Sequence, residues 1–195
     1  MRNVGRCVFG GISAAAVALF ALPLLAGHTK LTENWKDVSK AMDEAKQTPG
    51  NAVAAAEADT KGKAVSVTAA VKDKNVVFSV HTVAGDKCQI VTVDKTGKVT
   101  EKKDPSAGAC VGCADTLKAM DSGKYTLSAA IKSAEEYSKG KCIGASAETT
   151  AKDGTQVTVA CAVGDKMQIV TVDGKTGKAT KMEEDKGEKP PIKGG

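Results

Sequence analysis

Hydrophobic and polar positions follow two different periods along this chain, and the periods take turns. Trp35, Val38, Met42 and Ala45 recur three or four residues apart, which predicts an amphipathic helix over about 33–46 capped by Thr32. Pro49-Gly50 then reads as a break, followed by an alanine-rich helix over about 51–59 that stops at Gly62. From Val65 the period becomes two. Val65, Val67, Ala69 and Val71 share one face, with Ser66 and Thr68 on the other. A turn at Asp73-Lys74-Asn75 leads to Val76, Phe78 and Val80. A turn at Ala84-Gly85-Asp86-Lys87 leads to Cys88, Ile90 and Thr92, alternating with Gln89, Val91 and Val93. Such alternation between short turns predicts antiparallel hairpins with one buried face. Helical spacing returns near 114–120 and 127–138, the latter capped by Thr126 with Leu127, Ala130, Ile131 and Ala134 as its buried stripe. Alternation then resumes through Ile143, Ala145 and Ala147, through Val157, Val159 and Cys161, and through Met167 and Ile169. Short closing strands are expected after Gly97 and Gly177.

The two passes share residues as well as periods. Lys40-Ala41-Met42-Asp43 recurs as Lys118-Ala119-Met120-Asp121, and Lys61-Gly62-Lys63 as Lys139-Gly140-Lys141, both shifted by 78. The stretch from Gly85 to Asp94 returns from Gly164 to Asp173 with a shift of 79, so one residue is inserted in between, near the turn at Asp153-Gly154. A long period seen twice predicts two small tandem units rather than a solenoid of short repeats. The expected fold class is α+β, with each module made of one or two helices followed by a three- to four-stranded antiparallel meander. The boundaries are a signal peptide over 1–27, a first module over 28–103, a linker over 104–112, a second module over 113–184 and a disordered tail over 185–195.

The leader expectation rests on Arg2 and Arg6 before an apolar run from Val8 to Ala26. The run is short for a spanning helix and carries Gly10, Gly11 and Pro23, so cleavage near Ala26 or Gly27 is favoured over a retained anchor. Leu25-Ala26-Gly27 looks like the box before a lipidated cysteine, but His28 stands where that cysteine would be. The mature chain is expected outside the cytoplasm, periplasmic or extracellular, with no membrane contact after cleavage. Of 28 basic residues the leader holds two, which leaves 26 against 23 acidic ones. The lysines are interspersed with acids and aromatics are scarce, which argues against nucleic acid as a partner.

Against this background the strand that ends Val170-Thr171-Val172-Asp173, followed by Gly174-Lys175-Thr176-Gly177-Lys178, resembles the end of a PepSY domain. The helix from Thr126 to Ala134 before it fits the same resemblance. Val91-Thr92-Val93-Asp94-Lys95-Thr96-Gly97-Lys98 is similar, although Pro49-Gly50 interrupts the helix expected before it. The resemblance covers most of residues 48–103 and 126–183. It implies a non-catalytic binding or regulatory protein whose partner is a protein or peptide, with a secreted peptidase as one candidate. It brings no catalytic residues and no cofactor. An exposed sheet face or edge would take an extended peptide. Asp94, Gly97, Asp173 and Gly177 read as turn chemistry, with a carboxylate bonding the amides that follow it and a glycine supplying positive φ.

Reactive chemistry, if present, belongs to cysteine. Cys7 leaves with the leader, and Cys88, Cys110, Cys113, Cys142 and Cys161 remain, an odd number. Cys88 and Cys161 read as inward-facing. The Cys110-Val111-Gly112-Cys113 motif precedes a helix, where a thiol is activated. A structural disulfide is its leading reading, with thiol redox chemistry or a metal site completed by Cys142 and Cys161 as alternatives. Ala114 stands where a haem motif needs histidine. A hairpin centred on Asp153-Gly154 places Cys142 opposite Asp165 and Cys161 opposite Ser146, so a bond between the two cysteines requires the strand start to bend. His28 and His81 are isolated, with His81 expected toward solvent, and no triad or phosphate loop is legible.

Overall fold

The computed structural model describes residues 34–85, 87–105, 112–123, 125–150 and 154–185. The expected leader, the expected tail beyond Asp185, and most of the expected linker lie outside them. The elements in chain order are α1 (Trp35–Ala45), α2 (Pro49–Thr60), β1 (Lys63–Lys72), β2 (Asn75–Ala84), β3 (Lys87–Val93), β4 (Val99–Lys103), α3 (Cys113–Ser122), α4 (Leu127–Ser138), β5 (Lys141–Thr150), β6 (Gly154–Val163), β7 (Lys166–Asp173) and β8 (Ala179–Glu184). The fold is mixed α and β, with four helices among the described residues and one antiparallel sheet of eight strands in the order β4-β3-β2-β1-β5-β6-β7-β8. No helix among the described residues is long and apolar enough to cross a membrane.

The order helix, helix and four strands occurs twice, and local bonds repeat with it. Pro49 does not break a helix; it starts one. Proline suits the first helical position because its missing N–H would have no partner there. Thr48 caps the helix by accepting from Asn51 N at 3.2 Å, as Thr126 accepts from Ala129 N at 3.2 Å. Both helices end on a left-handed lysine, Lys61 and Lys139. The hydroxyls of Thr60 and Ser138 donate to Ala56 O and Ala134 O, and each accepts from the N–H of a following glycine. Those glycines, Gly62 and Gly140, are required by crowding: a Cβ would stand 2.8 Å from Val83 O and 2.6 Å from Ala162 O. Glu57 and Glu135 then accept from the N–H groups of Ala64 and Cys142 at 2.9 and 2.8 Å. The helix expected with a Thr32 cap begins instead after Asn34, which makes no side-chain cap bond.

The sheet is joined at its middle by a short antiparallel seam. There Ser66 pairs with Ser146, Val67 with Ala145 and Thr68 with Gly144. Val67 and Ala145, which pair there, are 78 residues apart, the same shift as the sequence repeat. The inserted residue also finds its place. Lys72 pairs with Asn75 across two residues, whereas Thr150 pairs with Gly154 across three.

All four helices bury their apolar stripes against one face of the sheet. Val38 and Met42 of α1, Ala52, Val53 and Ala56 of α2, Met120 of α3, and Leu127, Ala130, Ile131 and Ala134 of α4 form a single core with Val67, Phe78, Val80, Val91, Val93, Ala145, Val157, Val159, Val170 and Val172. Each fully buried Val, Leu, Ile, Phe or Met side chain adds roughly 1.5–3 kcal/mol relative to exposure. In β3 the buried residues are Val91 and Val93, so Cys88 lies on the other face and is only partly buried, contrary to its reading as core.

Candidate functional site

The face opposite the helices is built from the alternate strand positions. Two rows of side chains cross it from edge to edge. One follows the register from β4 to β8 through Glu101, Thr92, Ser79, Thr68, Gly144, Ala160, Ile169 and Glu183, with Gly144 adding no side chain and Ala160 buried. The adjacent row runs Lys103, Ile90, His81, Ser66, Ser146, Thr158, Thr171 and Lys181. The interior of both rows is mostly short and hydroxylated, and Ser66, Thr68, Ser79, Thr92, Ser146, Thr158 and Thr171 are all partly exposed. Full charges stand at the two ends. On β4 Lys103 pairs with Glu101 at 2.8 Å, and on β8 Lys181 pairs with Glu183 at 2.7 Å. Charged side chains on outermost strands discourage edge-to-edge association. The middle of the face therefore offers hydroxyls, methyl groups and two isoleucines without a dominant charge.

His81 sits in this surface between Ser66 and Ile90. It is partly buried rather than turned freely to solvent, and burial lowers its pKa from the ordinary imidazole value.

The strand-end aspartates behave as turn formers. Asp94 Oδ1 accepts from Thr96 N at 2.8 Å, Thr96 Oγ1 at 2.6 Å and Lys98 N at 3.1 Å. Asp173 Oδ1 accepts from Lys175 N at 3.0 Å, Thr176 N at 2.7 Å and Thr176 Oγ1 at 2.8 Å. Gly97 and Gly177 supply φ of 82° and 68°. Behind Gly177 the Tyr125 ring packs so closely that a Cβ would meet it at 2.2 Å, and the Tyr125 hydroxyl donates to Gly177 O at 3.1 Å.

The cysteines rearrange the expected chemistry. Cys113 carries a free thiol at the first position of α3, so the disulfide expected between Cys110 and Cys113 is not formed. Cys110 lies outside the described residues. Burial raises the Cys113 pKa from the ordinary thiol value, the opposite direction from the activation expected at a helix start. Cys88 takes part in a disulfide whose partner lies outside the described residues. Cys142 and Cys161 are free, fully buried and directly paired across β5 and β6. The expected partners Asp165 and Ser146 were wrong for two reasons. The β5–β6 connection is centred before Asp153-Gly154, and a bulge at Ile143 shifts the register by one more residue. Neither feature is readable from alternation. Among the described residues no three of His, Cys, Asp and Glu converge as a metal site would require.

A shallow cleft of about 330 Å³ lies where α1 meets the β6–β7 turn, lined by Trp35, Lys36, Asp43 and Asp165 among others. Lys36 reaches Asp165 at 3.4 Å and lies 5.4 Å from the Trp35 ring centre, and Lys141 pairs with Asp43. These exposed pairs tie α1 to the far half of the sheet, each at modest energy.

No protein-family model matches the chain, and no curated protein matches it. A crystal structure of a presumed lipoprotein from Clostridium difficile 630 aligns with a TM-score of 0.42 and 18% identity, covering 69% of this chain and 90% of that one.

Proposed function

We propose that the protein is an exported, non-catalytic binding and regulatory protein of PepSY type, made of two modules joined through one sheet. Its partner is an extended peptide or a peptidase outside the cytoplasm, periplasmic or extracellular. The observation that carries this reading is the sheet face opposite the helices, where Ser66, Thr68, Ser79, Thr92, Ser146, Thr158 and Thr171 are partly exposed between ion pairs on both edge strands. A wide surface of short side chains lets an extended backbone approach closely, and hydroxyls can donate to or accept from its amides. Sequence-tolerant recognition of this sort suits a protein that engages a peptidase and its peptide-like regions without cleaving them. The strand-end turns fit the reading as scaffold, since their carboxylates are spent on backbone amides.

The test is a binding and inhibition measurement with peptidases secreted by the cell that makes this chain. Saturable binding or inhibition is expected, and Ser79→Lys with Thr158→Lys should weaken it at least about tenfold, because both place charge in the middle of the face. Unchanged circular dichroism would show that the fold survives. Equal binding by parent and variant would remove the face from the account. An absence of binding to any co-secreted peptidase or peptide would remove the peptidase reading altogether.

A further inference from the structure

We propose that Cys142 and Cys161 are a modification site: a thiol pair that closes into a cross-strand disulfide when the protein meets a small-molecule disulfide, stapling β5 to β6 beneath α4. The two residues are register partners and both are 0% exposed. The N–H of Cys142 donates to Glu135 Oε1 at 2.8 Å rather than across to β6. That marks a non-hydrogen-bonded pair, in which Cα atoms stand about 4.5 Å apart and side chains lie closest. Disulfides span Cα separations of about 4.4–6.8 Å, so the backbone already lies within reach. The bulge at Ile143 supplies the bend at the strand start that such a bond needs.

Neither thiol is strongly engaged elsewhere. Cys142 Sγ makes one contact to Gly144 O at 3.5 Å, and the Cys161 thiol lies beside the Ser138 hydroxyl. Each sulfur also sits close enough for Cys161 to add, after burial, to the upward push on the Cys142 thiol. The first half offers no counterpart, because the equivalent register partners there are Ala64 and Thr82. The staple is thus an addition to the second half and no part of the shared architecture.

The chemistry balances as thiol–disulfide exchange. One cysteine, as thiolate, attacks a small disulfide R–S–S–R, forming a mixed disulfide and releasing RS⁻. The second cysteine attacks the protein sulfur of that mixed disulfide and displaces the second RS⁻. Two protein thiols are oxidised, one small disulfide is reduced, and the two protons pass to the leaving thiolates. Since both sulfurs are buried, reaction follows local opening at the start of β5, whereas the partly exposed Cys113 reacts without it.

The experiment equilibrates the full chain with oxidised glutathione, alkylates it in denaturant and maps its peptides without reduction by mass spectrometry. The expected result is the Cys142 peptide joined to the Cys161 peptide, in the parent and in Cys113→Ala alike. Before oxidation, native-state alkylation should be faster at Cys113 by roughly tenfold or more. Oxidation should raise the melting temperature of Cys113→Ala. It should leave unchanged a variant that also carries Cys142→Ala and Cys161→Thr, the residues the first half uses at these places. Recovery of Cys142 and Cys161 as separate alkylated or glutathione-bearing peptides, or their linkage to Cys113, overturns the proposal.

Discussion

An aspartate at the end of a strand does the same work in two places 79 residues apart. Asp94 and Asp173 each gather two backbone N–H groups and a threonine hydroxyl onto one oxygen. Hydrogen bonds therefore hold both carboxyls below the usual carboxylate range, led by the Thr96 hydroxyl at Asp94 and the Thr176 N–H at Asp173. A carboxyl with a depressed pKa in the folded state contributes stability that is complete above the unfolded value of 3.8 and is lost as pH falls through the folded value. Acid titration of stability should show this loss below about pH 4, and Asp94→Asn with Asp173→Asn should flatten that limb while lowering stability at neutral pH. Chemical denaturation at a series of pH values reads both effects, and an acid limb unchanged in the double variant would separate these aspartates from it. The turns were legible in the sequence because Val-Asp, threonine and glycine lie within five residues of one another. His81 was half legible: alternation put it opposite Phe78 and Val80, but not in a partly buried setting.

Elements were legible where their determinants are local. The Leu127–Ser138 helix follows directly from its cap and apolar stripe. Pro49 misled because proline breaks a helix from within and favours its first position, and the choice turns on whether the residue before it can cap. Thr48 does cap, as Thr126 does, so the two helices should respond alike to loss of the hydroxyl. Thr48→Ala and Thr126→Ala are each expected to cost about 1 kcal/mol. Denaturant midpoints of the two single variants check this, and a large difference between them would show that the caps are not equivalent. In β3 the period of two was right while the buried face was not, since Ile90 and Val91 are both apolar and only the helices decide which is covered. The Cys142–Cys161 pairing was hidden for a similar reason: connection length and a bulge set the register, and neither leaves a mark in the alternation.

At the scale of the molecule the two runs of strands do not close into separate sheets. In each run the first strand, β1 or β5, lies at the inner edge, and these two edges pair with each other, so the helices share one core. The sequence repeat marked the recurring order of elements, but the junction between the two runs of strands depends on pairs 76 to 80 residues apart, which no local pattern encodes. The seam carries only three register pairs, 66 with 146, 67 with 145 and 68 with 144, so cohesion between the halves also draws on α2 against α4 and on α1 reaching across to Asp165 and Lys141. The sheet face proposed to bind spans both runs of strands only because of this junction. Nuclear Overhauser contacts in the labelled, folded chain test it most directly. Interstrand contacts linking Ser66 with Ser146 and Thr68 with Gly144 are expected; a spectrum in which β1 and β5 each contact only strands of their own run would rule the junction out.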